Sequence, residues 1–329
     1  MIPVPQSALE SLARAYDTSA EELSFFGGGR EDGDGVVYAY PHGDGRRLLK
    51  IMTITLQDQH KGLFRLEERL RFMKYLGEHG APVVYPQISP QGSLFETVAD
   101  ASHLWVGYGM DIAPGRPVRE EAWDPVFFTK WGQTIGRLHR LAREYPSWRA
   151  SVDPTTGDEL LTWREEWSGF CEWFQDAEAK SKWGEIGQAL AALPVTRDSF
   201  GFIHNDPHIW NLLYDGERIT LLDFDVANHH WFVNDIAIAC QSILFGQTGG
   251  MDRPVQDHEK LHAFLHHFLD GYEREHHLSD EWLNRLNLFI AYRRLLLFTV
   301  MHGWIGSKPE WHASWKRMIL TSPQILGAF

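Results

Sequence analysis

Polar side chains able to bind a metal or a phosphate group are concentrated in residues 201–231, GFIHNDPHIWNLLYDGERITLLDFDVANHHW, between apolar segments typical of short buried strands. Asp206, Asn211 and Asp223 supply two carboxylates and an amide oxygen. Charged and amide side chains are costly to bury unless something binds them. Oxygen donors without a thiolate suit Mg²⁺, which shares its coordination shell with phosphates. The pattern therefore indicates a magnesium-phosphate site that also contains a potential proton acceptor.

The composition excludes several classes of protein. The chain has 329 residues, 43% apolar and 23% charged, which is typical of one large or two ordinary globular domains. Its formal net charge is −13, and no run of basic residues is longer than those in GRR and YRR. A protein that grips a phosphate backbone needs a basic patch. We therefore expect no nucleic-acid partner.

The cysteines and the most apolar segment indicate the cellular compartment of the protein. Cys171 and Cys240 are far apart and lack a CxxC spacing, so a disulfide framework or a thiolate zinc site is not expected. The N-terminus does not have the pattern of a signal peptide. Residues 286–305 are apolar but carry Arg293 and Arg294 at their middle, which predicts a buried helix and no membrane span. We therefore expect a cytoplasmic protein.

The elements that must position the polar residues follow from hydrophobic periodicity. After an opening helix, LSFFGGG, GVVYAY and RRLLKIM are apolar stretches separated by glycine-rich turns, which predicts a β-meander. Residues 58–80 have apolar positions spaced near 3.6, which predicts an amphipathic helix with Gly80 as its C-cap. Residues 82–98 and 103–114 supply further strands. From Trp123 onward the pattern is mostly helical, which favours an α+β protein of two lobes.

Three motifs in order resemble the aminoglycoside phosphotransferase and choline kinase superfamily. They are HNDPHIWN, LLDFD and NDIAIA, similar to the family pattern H-x-D-x-x-x-x-N, then I/L-D-F/W, then D-L/I-A. The resemblance implies that Asp206 accepts or orients the proton of the acceptor hydroxyl. It also implies that Asn211 and Asp223 hold Mg²⁺.

The same resemblance implies a bilobal, protein-kinase-like fold of the α+β class. The expected N-terminal lobe, residues 1–109, is β-rich with one helix and binds nucleotide. A hinge over residues 110–116 leads to a mainly helical lobe, residues 117–329, for catalysis and acceptor binding. The cleft between two lobes is the default position for such a site.

Residues of the N-terminal lobe take nucleotide-binding roles by resemblance. Lys50 lies on the third strand of the predicted meander, where the family places the lysine that contacts the α- and β-phosphates of ATP. Glu68 on the following helix is the expected ion partner of Lys50. Glu67 is an alternative, because one sequence does not fix the helix register. GYGMDIAPGRP resembles the hinge, where backbone groups near Met110 and Ile112 would meet the adenine.

Other polar residues near the motifs have competing interpretations. Asp225 could add a second metal contact or face solvent. We expect His204 to brace the catalytic loop, and Asp235 to pin the loop or cap a helix. His229, His230 and Trp231 could equally line an acceptor pocket or fill the core.

Aromatic residues in and beyond the loop bear on the acceptor. Trp210 replaces a glycine that many family members carry, so acceptor specificity is expected to differ from that of the resistance enzymes. For His302, Trp304 and Trp311, core packing is favoured over a role as the far wall of the acceptor pocket.

Two further functions compete with the kinase. His204, Asp206 and His208 form H-x-D-x-H, and with Asp223, His229 and His230 they could bind two metals for hydrolysis. That interpretation leaves Lys50 and Asn211 without a role. A kinase-like binding module without turnover is the other possibility, and the complete set of motif residues disfavours it.

The sequence thus predicts an ATP- and Mg²⁺-dependent kinase. It would transfer the γ-phosphoryl group to a hydroxyl of a small molecule, such as a sugar, amino sugar, amino alcohol or aminoglycoside-like antibiotic. A protein Ser/Thr kinase of the same fold is the alternative. We expect a small-molecule acceptor and neither nucleic acid nor membrane as partner. The tryptophan content favours a ring or an alkylammonium group on the acceptor, because both stack on aromatic faces.

Overall fold

The chain folds into two compact units. The computed structural model describes residues 3–29, 35–119, 123–146, 162–246, 258–321 and 324–327. Within these, the first unit contains the residues up to Pro114 together with Leu222–Asp225, and the second contains the rest from Gly115 onward. The segment that carries Asp223 therefore groups with the N-terminal unit, whereas the sequence analysis placed it in a C-terminal lobe.

A six-stranded antiparallel sheet forms the centre of the first unit. Its strands are β1 (Ser24–Gly28), β2 (Val36–His42), β3 (Gly45–Thr55), β4 (Pro86–Gln87), β5 (Glu96–Ala99) and β6 (His103–Asp111). They are ordered β1-β2-β3-β6-β4, and β5 also pairs with β6. The predicted meander and the later strands are confirmed.

Two described helices belong to the first unit, α1 (Gln6–Ala15) and α2 (Gln59–Glu78). Helix α1 buries Ala8 and Leu12 in a cluster that includes Leu49 of β3 and Trp105 of β6. Helix α2 is the predicted amphipathic helix. Gly80 follows it with a φ of 77°, the left-handed conformation that a glycine C-cap adopts without strain.

Helices dominate the second unit. They are α3 (Pro125–Glu144), α4 (Trp163–Trp173), α5 (Lys180–Ala191), α6 (Phe232–Gly246), α7 (His258–Tyr272), α8 (Asp280–Leu283), α9 (Leu286–Val300), α10 (His302–Gly306) and α11 (Pro309–Thr321). Short strands separate some of them: β7 (Arg116–Pro117), β8 (Phe200–Ile203), β9 (Leu212–Tyr214), β10 (Ile219–Leu221) and β11 (Asn228–Trp231). Strand β9 lies between β7 and β10, and β8 pairs with β11. The sheet-rich first unit and the helical second unit confirm the predicted α+β class.

Helices α3 and α7 approach closely because each presents a glycine to the other. A Cβ atom on Gly132 would lie 1.8 Å from the carbonyl oxygen of Phe268, and one on Gly271 would lie 1.8 Å from that of Thr129. The two glycines thus set the distance between these helices.

Helix α3 begins where the Asp124 carboxylate accepts a hydrogen bond of 2.7 Å from the backbone N–H of Phe127.

The His229–Trp231 segment fills the core of the second unit. It forms most of β11, which pairs with β8, and all three side chains are buried. The indole nitrogen of Trp231 donates to the carbonyl oxygen of Pro194 at 2.9 Å. Burial lowers the pKa of His230 to about 3. The sequence left open whether these residues line an acceptor pocket or fill the core, and their burial places them in the core.

The ring side chains of α10 lie near the surface, and Trp311 of α11 is half-buried. Trp304 and His302 are exposed, and the Trp304 and Trp311 rings lie 4.7 Å apart. The expected core packing of Trp304 and His302 is therefore wrong. The apolar run in the sequence extends beyond Val300, where the buried helix α9 ends, so the pattern did not mark the point at which burial stops.

Helix α9 carries Arg293 and Arg294, both buried, as predicted. Among the described helices, none combines the length and the apolar character needed to cross a membrane.

Substituting Gly132 with alanine should destabilise the protein by about 3 kcal/mol, because the added methyl group meets a helix backbone that must move. Gly184 on α5 is the matched control, since a Cβ atom there meets nothing within 4 Å. Gly184→Ala should stabilise by up to about 1 kcal/mol through helix propensity. Urea unfolding measures both, and equal effects of the two substitutions would contradict the close helix contact.

His230→Phe should reduce the loss of stability at acidic pH. The unfolded histidine binds a proton below its usual pKa of 6.5, whereas the folded one stays neutral down to about 3. The stability that the neutral His230 contributes is therefore fully present above pH 6.5 and is lost as the pH drops toward 3. Between about pH 7.5 and about pH 5.5, the variant should lose about 1.4 kcal/mol less free energy of unfolding than the wild type. Parallel pH profiles would show that His230 is not the neutral buried group described above.

Candidate active site

Lys50 is held inside the first unit by two carboxylates. It lies on β3 opposite Tyr108 of β6, and its side chain is 11% exposed. Its Nζ lies 3.4 Å from Oδ1 of Asp223 and forms an ion pair with Asp225. Burial by itself lowers a lysine pKa, but Tyr108 and the two carboxylates raise the pKa of Lys50 above its usual value. Lys50 therefore keeps a fixed positive charge.

The LLDFD segment presents its aspartates differently. Asp223 has a φ of 62° and a half-exposed side chain, so its carboxylate can reach a ligand from solvent. Phe224 is buried against Phe72 of α2, with ring centroids 6.3 Å apart, and anchors the segment. The Asp225 side chain is only 13% exposed and pairs with Lys50. The solvent-facing interpretation of Asp225 is therefore wrong.

The acidic residues of α2 do not neutralise Lys50. Within the described residues, neither Glu67 nor Glu68 forms an ion pair with it. Glu67 instead accepts a hydrogen bond of 2.9 Å from Arg71, one turn along the helix. Oε2 of Glu68 is buried without a hydrogen-bond partner in the described part of the chain, and burial raises its pKa. The expected Lys50–Glu68 pair is thus replaced by pairs with Asp223 and Asp225.

The two residues predicted near the adenine lie at the end of β6. Met110 is buried and pairs with Leu48 and Pro86 in the sheet. Ile112 follows the last strand residue and is 43% exposed. Their role in nucleotide binding stays a prediction.

Asp206 and Asn211 come together in the loop between β8 and β9 of the second unit. The amide nitrogen of Asn211 donates to the backbone oxygen of Asp206 at 3.0 Å and lies 3.4 Å from its Oδ2. The same Oδ2 lies 3.2 Å from Nε2 of His208. Oδ1 accepts a hydrogen bond from Arg293 of α9. Burial alone would raise the pKa of Asp206, but Arg293 and His208 hold it well below its usual range.

Asp235 of α6 pins this loop, as the sequence predicted. Its Oδ1 accepts the backbone N–H of Asn205 at 2.8 Å, and its Oδ2 accepts that of His204 at 3.2 Å. His139 of α3 lies 3.1 Å from the same Oδ2. Burial raises the pKa of Asp235 to about 7. His204 also braces the loop, since its Nδ1 accepts the backbone N–H of Asp206 at 3.3 Å.

Two residues of this site were not assigned from the sequence. Glu166 of α4 accepts hydrogen bonds from the side chains of Asn205, Asn228 and Tyr292. Arg293 was noted in the sequence only as a reason against a membrane span. A charged residue inside an apolar helix must find a buried partner, and that signal alone could have marked Arg293.

The di-metal cluster considered as an alternative is not among the groupings of metal-binding side chains in the described residues. In the described part of the chain, the grouping of potential metal ligands with mutually close donor atoms is His266, His267 and Asp270 on α7. His229 and His230 are buried in β11 instead. The H-x-D-x-H interpretation therefore finds no support in the arrangement of side chains.

Comparisons with known proteins agree with these motifs. The model of the Phosphotransferase enzyme family matches residues 37–282. Amicoumacin kinase of Bacillus subtilis (strain 168) is 26% identical over 302 residues, covering 90% of this chain and 84% of that protein. A solved amicoumacin kinase in complex with AMP-PNP and Ca²⁺ is 26% identical, with a TM-score of 0.79 and coverage of 93% and 90%.

A microcompartment-associated aminopropanol kinase is 19% identical, with a TM-score of 0.67 and coverage of 95% and 94%, and shares the fold. The family model covers well over half of the chain, and its match includes the loop of Asp206 and Asn211 as well as Lys50 and Asp223. The resemblance inferred from the motifs is confirmed. The chain belongs to the phosphotransferase enzyme family.

Proposed function

We propose that this chain is a kinase that uses ATP and a divalent cation to phosphorylate a hydroxyl of a small molecule. Membership of the family and the two amicoumacin kinases, one of them solved with AMP-PNP and Ca²⁺, support this activity. The proposal assigns nucleotide binding to the first unit and positioning of the acceptor hydroxyl to the second.

One contact carries the proposal. Lys50 and Asp223 are 173 residues apart in the chain, yet Nζ lies 3.4 Å from Oδ1. In phosphoryl transfer a lysine neutralises the phosphates and a carboxylate holds the metal that bridges them. The fold therefore brings together the cation and the anion that a metal-nucleotide complex requires.

Each residue that the proposal assigns to Mg²⁺ carries a suitable donor atom. Asp223 offers a half-exposed carboxylate. Asn211 uses its amide nitrogen in the contacts with Asp206, so its amide oxygen can bind a metal. These are hard oxygen donors, and no described thiolate accompanies them. When bound, Mg²⁺ neutralises negative charge on the phosphates during transfer.

Asp206 acts on the acceptor. Its carboxylate accepts a hydrogen bond from the acceptor hydroxyl and points the oxygen at the γ-phosphorus. A bond forms between the acceptor oxygen and the γ-phosphorus, and the bond to the bridging oxygen of ADP breaks. The hydroxyl proton passes to Asp206, and ADP leaves with the electron pair of the broken bond. Because the loose transition state needs little nucleophile activation, orientation is the larger part of this role.

The loop also bears on the class of acceptor. Trp210 is 54% exposed and lies next to His208, with ring centroids 5.5 Å apart. His208 in turn contacts the Asp206 carboxylate. An exposed indole beside the reacting group can stack on a ring or a cation of the acceptor. Two proteins that are 26% identical to this chain are amicoumacin kinases, so amicoumacin is the first acceptor to test.

Asp206→Asn should lower kcat by about 10²- to 10⁴-fold, because it removes the carboxylate that orients the acceptor hydroxyl and takes its proton. A coupled ADP-release assay measures turnover with amicoumacin, aminoglycosides, sugars and amino alcohols as acceptors. Asp198→Asn is the matched control, because Asp198 is exposed and pairs with Arg143 on α3. Full turnover by Asp206→Asn, or an equal loss in the control, would contradict the assignment.

Trp210→Ala should raise the KM of the best acceptor by up to about tenfold, because the stacking surface is removed. The KM for ATP should change by less than about twofold, since the indole is assigned to the acceptor only. The same assay with each substrate varied in turn gives both constants. A rise in the KM for ATP alone would place Trp210 at the nucleotide.

A further inference from the structure

Helix α9 carries charge into the interior of the second unit. Arg293 is 9% exposed and Arg294 is 3% exposed, on a helix whose other buried residues are mostly apolar. A guanidinium is costly to bury unless hydrogen-bonded acceptors surround it. The contacts of these two arginines therefore show what each one does.

The contacts differ in kind. Arg294 donates from Nε to the side-chain oxygen of Gln241 at 3.1 Å, a contact within the helical packing of α6 and α9. Arg293 donates from Nη2 to Oδ1 of Asp206. Of these neighbouring arginines, only Arg293 reaches the residue assigned to the acceptor hydroxyl.

With Arg293, both oxygen atoms of the Asp206 carboxylate have contacts. Oδ1 faces Arg293, whereas Oδ2 lies 3.2 Å from Nε2 of His208 and 3.4 Å from the amide nitrogen of Asn211. A carboxylate held at both oxygens cannot rotate about its terminal bond. Without Arg293, the loop contacts would restrain one oxygen only.

Glu166 secures the other side of the same arrangement. Its Oε2 accepts from the side chains of Asn205 and Asn228, the latter at 2.7 Å, and its Oε1 accepts from Tyr292 at 2.6 Å. Asn205 directly precedes Asp206 and has a φ of 65°, a conformation that needs support from its surroundings. Tyr292 directly precedes Arg293 on α9. One buried carboxylate on α4 thus joins the residue before Asp206 to the residue before Arg293.

We propose that Arg293, supported by Glu166, is a positioning residue that holds the Asp206 carboxylate in the orientation that receives the acceptor hydroxyl. The inference rests on the proposed function, because it needs Asp206 to act on the acceptor. Arg293 contributes through Asp206 and touches neither the acceptor nor the nucleotide. A planar guanidinium suits this task, because it holds a carboxylate oxygen in a fixed direction that an ammonium group does not define.

Removal of Arg293 should therefore affect turnover and leave substrate binding intact. At saturating ATP and acceptor, Arg293→Met should lower kcat by roughly 100-fold, the scale of a small misplacement of a reacting group. The KM values for ATP and acceptor should stay within about twofold, and Arg293→Lys should recover about tenfold of the lost kcat. Arg294→Lys is the matched control, with kcat per folded molecule expected to equal that of the wild type.

A double-mutant cycle separates positioning from a structural role. If Arg293 acts through Asp206, Arg293→Met should cause no further loss of kcat in the Asp206→Asn protein, measured by single turnover. A structural role would reduce kcat in both backgrounds, and that result would overturn the proposal. If Arg293→Met does not fold, the variants Arg293→Lys and Glu166→Gln test the positioning role instead. Both should lower kcat at unchanged KM, and wild-type kcat in both would overturn the proposal.

The outcomes also distinguish this inference from the proposed function. Full turnover by Asp206→Asn would show that the proposed function of Asp206 is wrong. Loss of activity in Asp206→Asn with full kcat in Arg293→Met would leave the kinase assignment standing and remove the positioning role. A rise in the acceptor KM alone in Arg293→Met would show that Arg293 binds the acceptor directly, and would equally overturn it.

Discussion

The ion pair between Arg293 and Asp206 links the loop between β8 and β9 to a helix that lies far from it in the sequence. Both groups are largely removed from water, so displacing either one would leave the other charge buried with fewer partners. The pair therefore fixes helix α9 to the loop between β8 and β9. Asp235 reinforces the loop from α6 through the backbone N–H groups of His204 and Asn205. The polar loop is thus tied to two buried helices by its own hydrogen bonds.

The same requirement organises the first unit. Lys50 is buried on a central strand, and its charge is balanced by Asp223 and Asp225. Asp225 is the more enclosed of the two, whereas Asp223 keeps half of its side chain exposed. The enclosed carboxylate holds the lysine in place, and the exposed one is the group that we propose as a metal ligand. One short segment therefore combines a structural anion with a proposed ligand, and Phe224 between them anchors the segment against Phe72.

Local patterns predicted the elements that depend on local physics. The apolar spacing over residues 58–80 predicted α2, and the turns between apolar stretches predicted the meander, because both signals arise from which side of an element is buried. Patterns failed where burial depends on distant parts of the chain. Trp304 continues an apolar run yet lies at the surface, and His230 looks like a ligand yet fills the core. Neither outcome is encoded within a few residues of the position.

The sequence by itself determined which side chains are candidates for the site, because the order and spacing of Asp206, Asn211 and Asp223 resemble the motifs of the phosphotransferase enzyme family. It also determined which strand carries Lys50. Only the tertiary structure decided the partners of those groups. Lys50 meets Asp225 in place of Glu68, and Asp206 meets Arg293, which lies 87 residues later. Buried charges pair with whichever opposite charge the packing of distant elements brings within reach, and no local pattern records that distance.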